Sequence, residues 1–172
     1  MPIEVGDPVT AELLDLMANP PTVSLVQQSA QSAASNTTFA ITYGTGSTVL
    51  DTDDFHSEST NNTRITPTRA GVYAISAKAF FGAEDTFRIV DSILRLNGTT
   101  IVAGSSGRRL SGGTGSATFN SADTGVVYVT FNGTTDYVEH LCVQTNADAT
   151  NTNTATSGQF ASTFNLTYHR ES

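Results

Sequence analysis

The stretch Ile65 to Phe81, ITPTRAGVYAISAKAFF, constrains this chain more than any other. After a turn containing Pro67, an Ala-Gly-Val-Tyr step opens a run in which apolar side chains recur at every second residue. Tyr73, Ile75, Ala77, Ala79 and Phe81 fall on one face, and Val72, Ala74, Ser76, Lys78 and Phe80 on the other. A period of two is the mark of a β-strand, because successive Cβ atoms point to opposite sides of the sheet. Apolar residues on both faces mean that both faces are covered. A second clean strand spans Gly158 to His169 (GQFASTFNLTYH), with Phe160, Phe164, Leu166 and Tyr168 on one side and Gln159, Thr163, Asn165 and Thr167 on the other.

Between and before these strands the punctuation is that of an all-β protein. Thr22 to Gln31 and Thr37 to Tyr43 read as a pair of polar-faced strands separated by Ser-Ala-Ala-Ser-Asn. Gly44 to Thr63 reads as a long surface loop with one short strand near Val49. In Thr86 to Asn97, Phe87 and Ile89 alternate out of phase with Leu94 and Leu96, and a β-bulge near Asp91-Ser92 would bring all four to one side. Asn97-Gly98 is a strong hairpin signal leading into Thr99 to Val102. Gly104 to Gly115 is Gly/Ser-rich and reads as a mobile loop. Ser116 to Asn120, Gly125 to Phe131 and Asp136 to Thr145 follow as strands, the last two joined by Asn132-Gly133, and Asn146 to Ser157 reads as a polar loop. Many short strands with turn signals between them predict an antiparallel β-sandwich.

Only the amino end reads as helix. Thr10 is placed to cap a short helix carrying Glu12 in its first turn, and Val9, Leu13, Leu16 and Met17 recur at helical spacing until Asn19-Pro20-Pro21 stops it. Such a short helix is marginal alone in water, so its apolar stripe must dock on its own β-domain or on another protein. The expected division is an attachment segment, helical or extended, over residues 1–21 and a β-sandwich domain over residues 22–172. The full length of 172 residues suits one domain with a short appendage.

Charge and composition exclude several classes of function. Eight Lys and Arg stand against 16 Asp and Glu, a formal net charge of -8, and the one adjacent basic pair is Arg108-Arg109. Such a chain repels phosphate backbones and anionic bilayers, so neither nucleic acid nor membrane is an expected partner. No apolar run approaches the roughly 20 residues of a membrane helix, and Met1 is followed by Pro-Ile-Glu-Val rather than a basic and then apolar leader. Synthesis in a cytoplasm without a signal peptide is the expectation. Cys142 is the one cysteine, so no internal disulfide forms, and its apolar setting suits a buried inert thiol. Asn36, Asn61, Asn97, Asn132 and Asn165 all head Asn-X-Thr triplets, which in so Asn/Thr-rich a chain arise by chance.

No constellation of residues carries a reaction. His56, His140 and His169 lie in different elements, and Gly104-Ser105-Ser106-Gly107 lacks the strand-to-helix turn of a nucleophile elbow. Asp51, Asp53, Asp54 and Glu58 offer oxygen ligands of the kind Ca²⁺ takes, without EF-hand spacing; solvated loop carboxylates are the plainer reading. Glu84, Asp85 and Asp91 form a weaker second cluster. His140 beside Glu139 is either an ordinary strand histidine or a residue on an oligomer axis, where zinc binding or a pH switch would follow. Apart from that weak Ca²⁺ candidate, no cofactor is expected.

The order Pro67, Ala70-Gly71-Val72-Tyr73, Leu96-Asn97-Gly98, the Val126 to Phe131 strand, Asp136-Tyr137-Val138 and the closing Phe160 to Leu166 strand resembles the C1q/TNF-like jelly roll, over roughly residues 63–170. The resemblance implies a homotrimer whose apolar strand faces pack about a threefold axis, with Tyr73, Ile75, Phe81, Phe160, Phe164 and Leu166 as its trimer or core residues. Independently, Val5-Gly6-Asp7-Pro8-Val9-Thr10-Ala11-Glu12-Leu13-Leu14 is similar to the openings of tail, fibre and other virion proteins of tailed bacteriophages, departing from them at Asp15. Together the two imply a non-enzymatic virion protein: a trimeric appendage anchored to other capsid or tail proteins through its amino end. The alternative is a receptor- or glycan-binding tip of a tail fibre, with Arg108 and Arg109 as the binding loop. A secreted ligand of the C1q/TNF type fits less well, for lack of secretion and disulfide signals.

Overall fold

The computed structural model describes residues 10–82, 87–108, 120–146, 149, 151–154, 156 and 160–171. The side chains of Leu13, Phe87, Arg88 and Arg108 are not part of that description. Helix α1 spans Ala11–Ala18. Among the described residues thirteen strands follow: β1 Thr22–Val26, β2 Ser32–Ala33, β3 Phe39–Ala40, β4 Thr48–Asp51, β5 Arg64–Ile65, β6 Ala70–Phe81, β7 Phe87–Leu96, β8 Thr100–Arg108, β9 Asn120–Asp123, β10 Val127–Asn132, β11 Val138–Asn146, β12 Thr152–Asn153 and β13 Thr163–Arg170.

The strands form two antiparallel sheets and a small ribbon. The first sheet runs β10-β6-β13-β1-β4, with β9 also pairing β6; the second runs β3-β11-β7-β8, with β5 also pairing β11; β2 pairs β12. Alternation along β6 and β13 explains the first sheet. Tyr73, Ile75 and Ala77 of β6 oppose Tyr168, Leu166 and Phe164 of β13, and all are buried. Val23 and Leu25 of β1 continue the same rows. The facing side of the second sheet supplies Val90 and Leu94 from β7 and Val138 and Cys142 from β11, and the two layers close into one core with Ile41, Tyr43, Phe55 and Ile65 between them. Tyr73 gathers that core, with edge-on contacts to the rings of Phe55, Phe131 and Tyr168 at 5.3 to 6.0 Å. Each such aromatic pair adds about 0.5–1.5 kcal/mol beyond its buried area.

The all-β sandwich expected from the sequence is therefore the fold, with changes of detail that have physical causes. Thr22 to Gln31 and Thr37 to Tyr43 do not pair with each other: β1 lies between β13 and β4 in the first sheet, while β3 lies on β11 in the second. No bulge occurs at Asp91-Ser92, and the pairing of β7 with β11 runs unbroken from Leu96↔Val138 to Ile89↔Thr145. Ser92 simply occupies an inward position, because its hydroxyl has partners there. The irregularities fall instead between Leu94 and Arg95 on the β8 side, and between Thr145 and Asn146.

Two expected loops are partly strand. Gly104 to Arg108 belongs to β8 and pairs with Ile93 through Ile89 of β7. Thr152-Asn153 forms β12, and Thr152 and Thr154 are buried. Asn97-Gly98 turns β7 into β8 as expected, with φ of 51° and 72° and the Thr99 amide donating to the Leu96 carbonyl at 3.1 Å. Asn132-Gly133 does not make a hairpin, since it passes the chain from the first sheet to the second. Phe160 precedes β13 and packs against Phe80 on the outer side of β6, with ring centroids 6.1 Å apart, instead of joining Phe164 and Leu166 between the sheets.

Candidate functional site

The position of the inward histidine takes it away from any oligomer axis. His140, on β11, is fully buried between the sheets and not on an outer face. Its ring stacks on Tyr43 with centroids 6.3 Å apart. The Tyr43 hydroxyl lies 2.8 Å from Nδ1, the Ser92 hydroxyl lies 2.9 Å from Nε2, and that hydroxyl reaches the Ala77 carbonyl at 3.4 Å. One assignment satisfies every group: Tyr43 donates to Nδ1, Nε2–H donates to Ser92, and Ser92 donates to Ala77. Burial holds the imidazole neutral, with its pKa lowered to about 3, and pushes the Tyr43 hydroxyl well up. This network ties the sheets together and leaves no nitrogen for a metal or an oligomer axis.

The carboxylates of the β4–β5 connection are turned onto backbone amides. Asp51 accepts from the N–H groups of Phe55 and His56 at 3.0 and 2.8 Å. Glu58 accepts from Gly46 and Thr48 at 2.9 Å each, and these bonds hold its carboxyl below the ordinary range. Asp53 and Asp54 are exposed. Among the described residues no three His, Cys, Asp or Glu side chains converge as metal ligands. Glu84 and Asp85 lie outside the described residues, and the Asp91 carboxylate accepts from the Ser106 hydroxyl across β7 and β8.

Of the expected trimer or core residues, Tyr73, Ile75, Phe81, Phe164 and Leu166 are all buried within the single chain. Among the described residues the outer side of the first sheet is at least partly exposed, half-buried in its middle and open at its margins. Its rows follow from the register: Tyr128, Ala74, Thr167 and Thr22 lie side by side, and so do Ser76, Asn165, Ser24 and Leu50. The middle of this face is built of small uncharged side chains, and Ser24 donates to Asn165 across it at 2.9 Å. Large apolar groups stand at its two margins, Val126 and Tyr128 at β10 and Val49 and Leu50 at β4, each about half exposed or more. Tyr128 lies against His169, with ring centroids 4.9 Å apart. In a chain with 16 acidic residues, these two rows contain none.

Sequence alternation implied two-sided burial here but did not show which residues would be left uncovered. Tyr128 and Leu50 emerge only once β10 and β4 are known to be the sheet's edges.

The fold itself has known counterparts. Solved structures similar to this chain include the Eiger TNF of S. frugiperda, with a TM-score of 0.61 and 10% identity over 89% of this chain and 94% of that one. Murine APRIL at pH 8.5 and at pH 5.0 gives TM-scores of 0.56 and 0.58, with 12% identity over 88% of this chain and all of the other. The fold is a TNF-like jelly roll. No protein-family model and no curated protein sequence matches the chain. At such low identity the likeness concerns the path of the backbone and carries no residue's role with it.

The attachment stripe is redistributed. Leu16 packs against the core of its own domain, and Arg69 pairs with Glu12 at 3.2 Å, so α1 is docked on the jelly roll. Among its described side chains the large apolar ones left exposed are Leu14 and Met17, at 55% and 69%, while the side chain of Leu13 lies outside the description. Val9 lies outside the described residues. Of the expected binding loop, Arg109 also lies outside them, and the backbone of Arg108 pairs with Ile89 at the end of β8.

Proposed function

We propose that this chain is a non-enzymatic structural protein of a bacteriophage virion: a homotrimeric surface appendage held to other capsid or tail proteins by its amino-terminal segment. The observation that carries the reading is the outer side of the first sheet. Small uncharged side chains in the middle, apolar groups at both margins and no carboxylate in its central rows suit contact with another copy of an otherwise acidic chain. The two margins differ, which suits a head-to-tail contact, and such a contact closes into a ring when its rotation allows. The resemblance to the C1q/TNF jelly roll supplies the number three, and the phage-like amino-terminal opening supplies the setting. Leu14 and Met17 on a docked helix give that segment an apolar surface to offer a second protein.

Light scattering on the purified chain tests the assembly, with three times 18.1 kDa expected; a monomer at micromolar concentration overturns it. Deleting residues 1–19 tests the anchor. The truncated protein is expected to remain trimeric and fail to enter particles, and normal incorporation overturns the attachment role.

A further inference from the structure

Lys78 is the one lysine of the chain, and it stands on the outer side of the first sheet. Its neighbours on β6, Ala77 and Ala79, are turned into the core, so the lysine side chain leaves on the opposite side, where it is half-buried. Its ammonium lies 4.5 Å from the centroid of the Phe80 ring, which Phe160 backs at 6.1 Å. Among the described residues Lys78 makes no ion pair. Asp123, opposite it on β9, turns its carboxylate to the Gly125 amide at 2.8 Å. Water solvates the ammonium in a single chain, and covering the face takes that water away. A charge covered without a partner is costly, so whatever covers this face has to bring a carboxylate.

The row that holds Lys78 leads to one. Lys78 lies opposite Thr163 and Thr163 opposite Val26, and the Val26 amide donates to the Ser47 carbonyl at the head of β4. At that end of the row stands Glu58, whose carboxylate oxygens accept from the amides of Gly46 and Thr48 at 2.9 Å each. A carboxylate has about four acceptor sites, so Glu58 is fixed in place and still able to take another donor. Within one chain the two groups cannot meet, because three strand spacings of about 4.8 Å each separate β6 from β4, beyond the reach of a lysine side chain. A head-to-tail contact brings unlike margins together. Lys78 lies one strand in from the β9–β10 margin, so the copy that covers it presents its β4 margin, and Glu58 with it.

Resting on the trimer inferred above, we propose that Lys78 pairs with Glu58 of the neighbouring copy and is the polar anchor of the contact. The pair fixes the height along the strands at which copies meet, which a middle of small uncharged side chains does not specify by itself.

Carbodiimide joins an amine to a carboxylate in contact with it, and Lys78 carries the one lysine amine of the chain. Treatment of the intact wild-type protein is expected to give species of two and three chain masses on denaturing gels, and their digests to contain an amide between Lys78 and Glu58. Lys78→Arg keeps the charge; it is expected to keep the wild-type mass in light scattering and to lose that amide. Lys78→Glu sets two carboxylates against each other, and is expected to give the mass of a single chain at concentrations where the wild type is trimeric. A trimeric wild type in which Lys78 is joined to a different carboxylate, or to none, overturns the pairing and leaves the trimer standing. A folded Lys78→Glu that stays trimeric does the same. A monomeric wild type overturns both. Should Lys78→Glu fail to fold, the cross-link of the wild type decides alone.

Discussion

At the scale of single residues, the sequence leaves His140 open as a residue on an oligomer axis and reads Cys142 as a buried inert thiol, and the structure buries both between the sheets. Their positions on β11 alternate inward with Val138, and between two sheets neither ring nor thiol meets water. Sign and window follow for the histidine. Burial lowers its folded pKa to about 3, below the ordinary imidazole value of about 6.5. Below pH 6.5 the unfolded chain therefore binds a proton that the folded chain refuses, and stability falls by about 1.4 kcal/mol per pH unit until pH approaches 3. Urea unfolding of the wild type and of His140→Leu between pH 7 and 4 checks this. The variant is expected to lose about 2–4 kcal/mol at pH 7, since the buried Tyr43 hydroxyl loses its acceptor and Ser92 keeps only its bond to the Ala77 carbonyl, and to show a shallower acid slope. Equal slopes would mean that other groups set the acid limit. For Cys142, burial pushes the thiol up and out of reach, so iodoacetamide is expected to label it only in denaturant.

At the scale of elements, period-two alternation located β6 and the inward face of β13 directly, because a strand between water and core needs nothing more than that pattern. Partners were not legible. The same alternation in β1 and β3 fits either sheet, and what separates them is the long-range pairing of β1 with β13 and of β3 with β11, which local sequence does not encode. Polar residues with hidden partners misled for a related reason. Ser92 breaks an apolar face in the sequence, and its bond to His140 is visible only in space. The two Asn-Gly pairs make the point at a turn. Asn97 and Gly98 both have positive φ and form a two-residue hairpin, while Asn132 accepts at Oδ1 from the amides of Thr134, Thr135 and Asp136 and steers the chain between sheets.

Gly133 is fixed in that crossing. Its φ is +74°, and a Cβ there would lie 2.3 Å from the Ala70 nitrogen. Gly125, with φ of +66° and open space around it, is the control. Gly125→Ala is expected to cost about 1–2 kcal/mol, the left-handed penalty alone. Gly133→Ala is expected to cost at least about 2 kcal/mol more, because the backbone of two elements must separate. Chemical denaturation of both variants measures the difference, and similar losses would show that the approach of Ala70 is relaxed in solution.

At the scale of the whole molecule, the first sheet has one side that makes the core and one whose central rows are at least partly exposed among the described residues, and in the proposed assembly that second side is where copies meet. A face of Ala, Ser and Thr gains little per residue from burial, at roughly 25 cal/mol per Å² of apolar surface. Association would therefore draw on the large groups at the margins and on close approach across the flat middle. This makes the middle sensitive to bulk and insensitive to hydrophobicity. Thr167 lies in the row with Tyr128, Ala74 and Thr22, its side chain directed away from the core. Thr167→Arg places a long cation where three subunits would each need a small residue. Thr167 is half-buried and its side chain is outside the core, so the substitution is expected to cost about 1 kcal/mol and the fold to survive. Light scattering is then expected to give a mass of one chain where the wild type gives three, and Thr167→Ser is expected to keep the trimer. If Thr167→Arg retains the wild-type mass, subunits meet elsewhere. The outer side of the second sheet would then be the next surface to test, where Arg95 and Arg64 already hold Glu139 in a closed ionic group.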